Sequence, residues 1–239
     1  MVDLKNINNI LLIGMAGGLA QLTANLITIK HPHIKILGVD SRKPTTDLDK
    51  NNIEFRRMRY TRGNFEKVFR EYKFDLVLHL GRMSHANNDN ASLIKRLDLN
   101  LMGTSRILDL ALKHNVKKVI ILSTYHVYGA LHDNPVFIDE NHPLRASIRC
   151  PELRDVVEMD QICTNWMWKN KNEIETIVLR PCSIIGPQIR NTMSQYLTTP
   201  YAPLPVDFNP MFQFLHEFDM GQVLMESISK VPTGIYNVA

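Results

Sequence analysis

No apolar run in this 239-residue chain reaches membrane-spanning length. The apolar stretch near the N-terminus, Ile10 to Ile13, is only strand-length and breaks at a glycine, so it reads as a strand and not as a signal peptide, and a cytoplasmic protein is the expectation. Cysteine is scarce. Cys150, Cys163 and Cys182 are odd in number and lack ligand spacing, so they read as buried thiols in a reducing compartment. The nine histidines share no metal-ligand spacing either, and no metal site is expected. His79, inside an apolar run, reads as a satisfied core residue. A formal net charge of +4 is too mild to imply nucleic acid by itself. There is no internal repeat and no low-complexity segment. Two further absences matter below: no tyrosine lies between Tyr128 and Tyr196, and no lysine between Lys118 and Lys169.

What the chain does contain is alternation. Short apolar runs at 9–14, 34–40, 52–58, 75–81, 117–124 and 174–180 read as strands. Amphipathic stretches at 18–30, 64–73, 93–114, 156–171 and 217–230 read as helices, with Val156, Met159, Cys163 and Trp166 on one helical face. Continuous apolar strands separated by helices imply a parallel sheet covered on both faces. The expected fold is α/β, a Rossmann-like doubly wound parallel sheet over residues 1–185. A short C-terminal appendage, 186–239, would pack on it as a reduced substrate region, with 198–210 irregular because of its prolines.

The first strand runs into "GMAGGLA", residues 14–20. Gly14 and Gly17 sit three apart, Gly18 follows, and Ala20 takes the place of a third glycine. A pyrophosphate site needs this order: a strand, a tight turn free of side chains, and a helix whose first N–H groups face the anion. The second strand ends in Asp40, whose carboxylate suits a ribose 2′-hydroxyl and repels a 2′-phosphate, while Arg42 blunts that preference. The alternative is a packing turn; the strand, helix and acidic residue at the right distances favour a dinucleotide loop. NAD is the expected cofactor ahead of NADP, although descent from a dinucleotide binder and present binding are separate properties.

Together with "DLVLHLG" (75–81), "NLMGT" (100–104), "VKKVIILSTYHVYG" (116–129), "PLR" (143–145), "LRPCSIIGP" (179–187), "FQFLHEFDM" (212–220) and "GIYNVA" (234–239), this loop makes the chain resemble the extended short-chain dehydrogenase/reductase family. These are the NAD-dependent epimerases and dehydratases of nucleotide sugars. The resemblance covers nearly the whole chain. It implies that Leu80, Gly81, Arg82 and Pro181 line the cofactor, that Thr124 orients a substrate hydroxyl, and that a nucleotide or nucleotide sugar is the ligand. It also implies a homodimer formed through the 156–168 helix.

The family's acid/base is a tyrosine, assisted by a lysine four residues later that lowers its pKa and holds the nicotinamide ribose. Here the aligned positions carry Glu152 and Val156, and no shift of frame restores the pair. The aspartate that the family sets against adenine is replaced by Arg59 or a neighbour. Tyr125 and Glu152 are candidate substitutes, with Tyr128, His126, Asp155 and Glu158 nearby in sequence. A carboxylate is a poor mimic, since its ordinary pKa near 4 leaves it ionised; Glu152 reads better as a favourable charge at a helix start. The segment 55–74 mixes Arg56, Arg57, Arg59 and Arg62 with aromatics, as a nucleic-acid surface would. An amphipathic helix with Phe65 and Phe69 inward is the favoured reading, and nucleic acid is not an expected partner. Three functions follow: a catalytically degenerate nucleotide-binding or assembly protein, which is favoured; an active epimerase, dehydratase or reductase with a rewired acid/base; and a nucleic-acid-binding derivative.

Overall fold

The computed structural model describes residues 4–46, 52–81, 96–203, 207 and 211–239. Its centre is a seven-stranded parallel sheet. In chain order the strands are β1 (Asn9–Ile13), β2 (Lys35–Asp40), β3 (Ile53–Arg57), β4 (Leu76–His79), β5 (Lys118–Leu122), β6 (Glu175–Pro181) and an edge strand, Gly234–Val238. In space the order is β3-β2-β1-β4-β5-β6 and then the edge strand. The direction of winding reverses between β1 and β4. The crevice beyond the carboxyl ends of these strands is where open α/β sheets take ligands.

Alternate residues of each strand feed opposite layers. Ile10 and Leu12 point to one core with Leu19, Ala20, Ala24 and Ile27 of α1 (Gly18–Lys30). Leu11 and Ile13 point to the other, which α2 (Arg62–Glu71), α3 (Thr104–Lys113) and α4 (Arg154–Lys169) close. The 156–171 helix expected from sequence is thus α4, with Val156, Met159 and Cys163 buried and Trp166 half-buried. The 93–114 helix is observed as a π-helical turn, Asp98–Gly103, leading into α3; positions 93–95 lie outside the described residues.

The stretch 186–239 holds more regular structure than its prolines imply. After β7 (Ser183–Ile185) comes α5 (Thr192–Thr198), started by an Asn191–Ser194 capping box. Next come β8 (Phe214–His216), parallel to β7 in a two-stranded sheet, and α6 (Glu217–Ser229). Then the chain re-enters the main sheet as β9 (Gly234–Val238) beside β6. The expectation that all three cysteines are buried is corrected. Cys163 and Cys182 are buried, whereas Cys150 is exposed, in the turn between the short helical turn Ala146–Arg149 and Pro151.

One buried ion pair ties several elements together. Asp160 of α4 and Arg180 of β6 meet at 2.6 Å, with side chains 0% and 3% exposed. Asp160 also accepts from the Ser123 hydroxyl at 2.5 Å. Arg180 donates further to the Tyr128 hydroxyl (2.8 Å) and the Glu140 carbonyl (3.0 Å). Tyr128 in turn donates to Asn237 of β9 at 2.7 Å.

Replacing one partner leaves an uncompensated buried charge, so Arg180→Leu should cost about 3–5 kcal/mol and lower Tm by about 10 °C, measured by thermal unfolding. His79 gives a pH signature. It is buried, bonds Thr104 at 2.9 Å, and burial pushes its pKa down to about 4 from 6.5. Because the folded pKa is the lower one, this contribution to stability is complete above pH 6.5 and declines as pH falls towards 4, by at most about 3 kcal/mol. In His79→Gln that part of the acid sensitivity should disappear, which urea unfolding at pH 7 and pH 5 would read.

Candidate ligand site

β1 ends at Ile13, and the chain turns at Gly14 with φ +96°. A side chain at this position would be strained, and its Cβ would lie 2.5 Å from the Cα of Gly81. The turn is held by the Gly14 and Met15 N–H groups, which donate to the Val39 carbonyl at 3.0 and 3.2 Å, and by Gly17 N–H donating to Gly14 at 2.9 Å. Gly17 caps α1 without any side-chain hydrogen bond, so the positive end of the helix is presented by bare backbone. Gly18 permits a close approach: any side chain there would collide with the Gln188 carbonyl. Ala20 is buried against the sheet.

Asp40 stands where β2 ends, almost wholly buried. One carboxylate oxygen accepts from Ala16 N–H at 3.1 Å and the other from Arg42 N–H at 2.9 Å. The Arg42 guanidinium is exposed, 3.8 Å from the same carboxylate. Leu80 N–H donates to Ile13 at 3.0 Å, and Gly81 packs against Gly14; Arg82 lies outside the described residues. Beyond β3, Arg59 is exposed and Tyr60 reaches in towards Gly14 and Gly81. Burial, reinforced by the Asp40 charge, pushes the Tyr60 phenol well above its ordinary range. For a dinucleotide, the phosphate end of the crevice fits: a bare helix terminus, glycines where the backbone must come close, and a carboxylate at the end of β2.

A cavity of about 550 Å³ opens next to this loop, bounded by Gly17, Gly18 and Leu19 on one side and by the ends of β5, β6 and β7 on the other. Thr124, Tyr125 and His126 enter it from the turn after β5, and Pro181 and Ser183 from β6 and β7. Thr124 starts that turn by accepting from His126 N–H at 3.4 Å. The Tyr125 hydroxyl lies 2.9 Å from the Ser183 hydroxyl, and its ring sits on the His126 ring with centroids 4.1 Å apart. Among the described residues no group of His, Cys, Asp or Glu side chains is arranged to hold a metal ion.

The positions aligned with the family's tyrosine and lysine fall elsewhere. Glu152 is exposed, in a 3-10 turn (Pro151–Leu153) ahead of α4, and is not among the cavity-lining residues. Its carbonyl accepts from buried Arg96 at 3.2 Å. Val156 is 0% exposed and packs with Val127, Tyr128, Ala146 and Val157. Asp155, also buried, accepts from Asn100 at 2.7 Å and lies 3.8 Å from Arg96. Of the substitutes considered from sequence, Tyr125 and His126 line the cavity; Glu152, Asp155, Glu158 and Tyr128 do not. Phe65 and Phe69 are buried, Arg56 pairs with Glu71 and Arg62 with Glu66.

Sequence reasoning missed most of the cavity wall: Ser183, Ile184, Ile189, Arg190, Met193 and Phe212. Most come from loops and short elements with no period to betray them. Only the Asn-x-x-Ser box at 191–194 signals where the wall turns helical.

The sequence model of the NAD dependent epimerase/dehydratase family matches residues 10–239. An uncharacterized protein of Mycobacterium tuberculosis is 27% identical over 221 residues, covering 91% of this chain and 58% of that protein. The dTDP-D-glucose 4,6-dehydratase of Dictyostelium discoideum is 28% identical over 151 residues, 59% of this chain and 34% of that enzyme. The chain thus spans little more than half the length of the first of these relatives and about a third of the second. In three dimensions it is similar to the dTDP-glucose 4,6-dehydratase of Bacillus anthracis, solved with NAD (TM-score 0.79, 21% identity, covering 97% of this chain and 75% of that one). It is also similar to the UDP-glucose 4-epimerase of Thermotoga maritima, solved with UDP-glucose (TM-score 0.80, 18% identity, 96% and 76%). At such identities these structures speak for the fold alone, and the family match adds the lineage: the chain belongs to the NAD dependent epimerase/dehydratase family.

Proposed function

We propose that this chain binds a nicotinamide dinucleotide, NAD in preference to NADP, as a binding or assembly member of its family that has given up the tyrosine–lysine hydride chemistry. The observation that carries this reading is Val156, fully buried in an apolar cluster where the lysine would stand, with Glu152 exposed away from the cavity at the tyrosine position. The Gly14–Ala20 loop and the uncapped start of α1 would hold the pyrophosphate. Asp40 would take the adenosine ribose and disfavour a 2′-phosphate. When bound, the dinucleotide supplies a hydride acceptor or donor; the aligned position that would hold its nicotinamide ribose carries Val156.

A second reading is favoured by one contact. Tyr125 brings a phenol into the cavity beside Thr124, hydrogen-bonded to Ser183. This supports a rewired enzyme in which Tyr125 moves the proton. It expects NAD-linked turnover of UDP-glucose or dTDP-glucose that Tyr125→Phe abolishes, whereas the favoured reading expects no turnover in either protein.

A thermal-shift titration with NAD, NADH, NADP and NADPH tests binding. At one hundred times Kd a ligand adds about 2.7 kcal/mol, a rise in Tm of about 5–10 °C for a chain of this size. A rise is expected with NAD or NADH and a smaller one with the 2′-phosphorylated pair; no rise with any of the four sinks the proposal. The packing at position 156 has its own test. Val156→Lys would bury an ammonium among apolar groups, and Tm should fall by about 10 °C or more. A Tm within a degree of the parent would show that the position opens to the crevice.

A further inference from the structure

We propose that the cavity between the glycine loop and α5 takes an uncharged, largely apolar ring compound bearing one hydroxyl or carbonyl oxygen, rather than a nucleoside diphosphate sugar. This deepens the reading above, in that it rests on the cavity being a ligand site, but it does not require the dinucleotide to bind.

Its volume of about 550 Å³ falls within the usual range for a small-molecule pocket. The wall away from the glycine loop presents Ile184, Ile189, Met193, Tyr196 and Phe212, with polar residues of 188–192 between them. Phe212 is backed by Phe214, with ring centroids 6.0 Å apart. Such a wall suits a flat ring, which gains both area and aromatic contact. A sugar ring placed there would bury several hydroxyls against carbon, and each buried hydroxyl without a partner is costly.

The charges agree. Among the described lining residues Arg190 is the one lysine or arginine, and it is exposed at the rim. Asn191, next to it, is committed to the fold: its oxygen accepts from Ser194 N–H at 2.7 Å and its amide donates to Ile184 at 2.8 Å. Among the described residues a diphosphate would meet the helix terminus and Arg190.

On the opposite side three hydroxyls, those of Thr124, Tyr125 and Ser183, line the cavity. Each hydroxyl carries one donor and two lone pairs. In the Tyr125–Ser183 bond one donor is used, so the pair keeps one for a ligand oxygen. Thr124 accepts from His126 N–H and keeps its own donor. A cavity with apolar walls and two donors on one side recognises a single oxygen on a hydrophobic frame.

The test uses 2-naphthol, followed by its own fluorescence, and UDP-glucose, followed by calorimetry, on the full chain without added dinucleotide. Naphthol should bind at least tenfold more tightly than UDP-glucose. Its affinity should fall about tenfold in the Tyr125→Phe, Ser183→Ala double variant, the loss of one hydrogen bond, and further in Met193→Lys. Circular dichroism on each variant reports that the fold is retained, and Met193, half-buried on a surface helix, tolerates the change. UDP-glucose binding as tightly as naphthol, or naphthol binding equally to all three proteins, would overturn the proposal. Naphthol binding with no thermal shift from NAD removes the dinucleotide reading and leaves this one standing; an NAD shift without naphthol binding does the reverse.

Discussion

The Asp160–Arg180 pair is the constraint on which the crevice depends. It lies directly under the turn that carries Thr124 and Tyr125, and it is bonded to Ser123 on one side and Tyr128 on the other. Two charges taken out of water are tolerated only when their remaining lone pairs and protons are satisfied. Here the carboxylate takes both guanidinium contacts and a hydroxyl, and the guanidinium also reaches a phenol and a carbonyl. Each partner belongs to a different element. The floor of the cavity, α4, β6 and the late strand β9 are therefore fixed relative to one another by directional bonds, not by apolar contact alone. A network of this kind rigidifies what it joins, and a half-satisfied one would be worse than none.

On that floor the two ends of the crevice are built differently. At the glycine loop the backbone solution to anion binding is intact: a left-handed glycine, an uncapped helix and a carboxylate latched to the loop by Ala16 N–H. At the start of α4, Glu152 stands exposed on a turn and Val156 is buried in an apolar cluster. Arg96, Asn100 and Asp155 form a buried polar cluster beneath the helix start, and Val156 closes the space above them with carbon. The glycine loop and the start of α4 rest on different elements, so substitutions at one leave the other in place.

Much of the fold was legible because it is written locally. Four consecutive apolar residues before a glycine, such as Ile10–Ile13, are too short for a helix and read as a buried strand. The face Val156–Met159–Cys163 needs nothing beyond the period of a helix. The missing tyrosine and lysine were equally plain, as absences over long spans. What escaped was non-local. β9 is a half-buried edge strand whose residues alternate weakly, so its place in the sheet is decided by pairing with β6. The exposure of Cys150 follows from a turn, not from composition. The cavity wall is the clearest case. Ile189, Met193 and Phe212 look like ordinary loop and surface residues until β7 pairs with β8 and brings their segments together.

The packing around Val156 also bears on how the lineage can change. Restoring a lysine at that position alone strands a charge among Val127, Tyr128, Ala146 and Val157. Restoring a tyrosine at 152 alone sets an aromatic ring on an exposed turn with no partner to lower its pKa. Neither first step is rewarded, and the first is penalised by loss of stability. A lysine at position 156 therefore calls for accompanying changes in the residues packed around it.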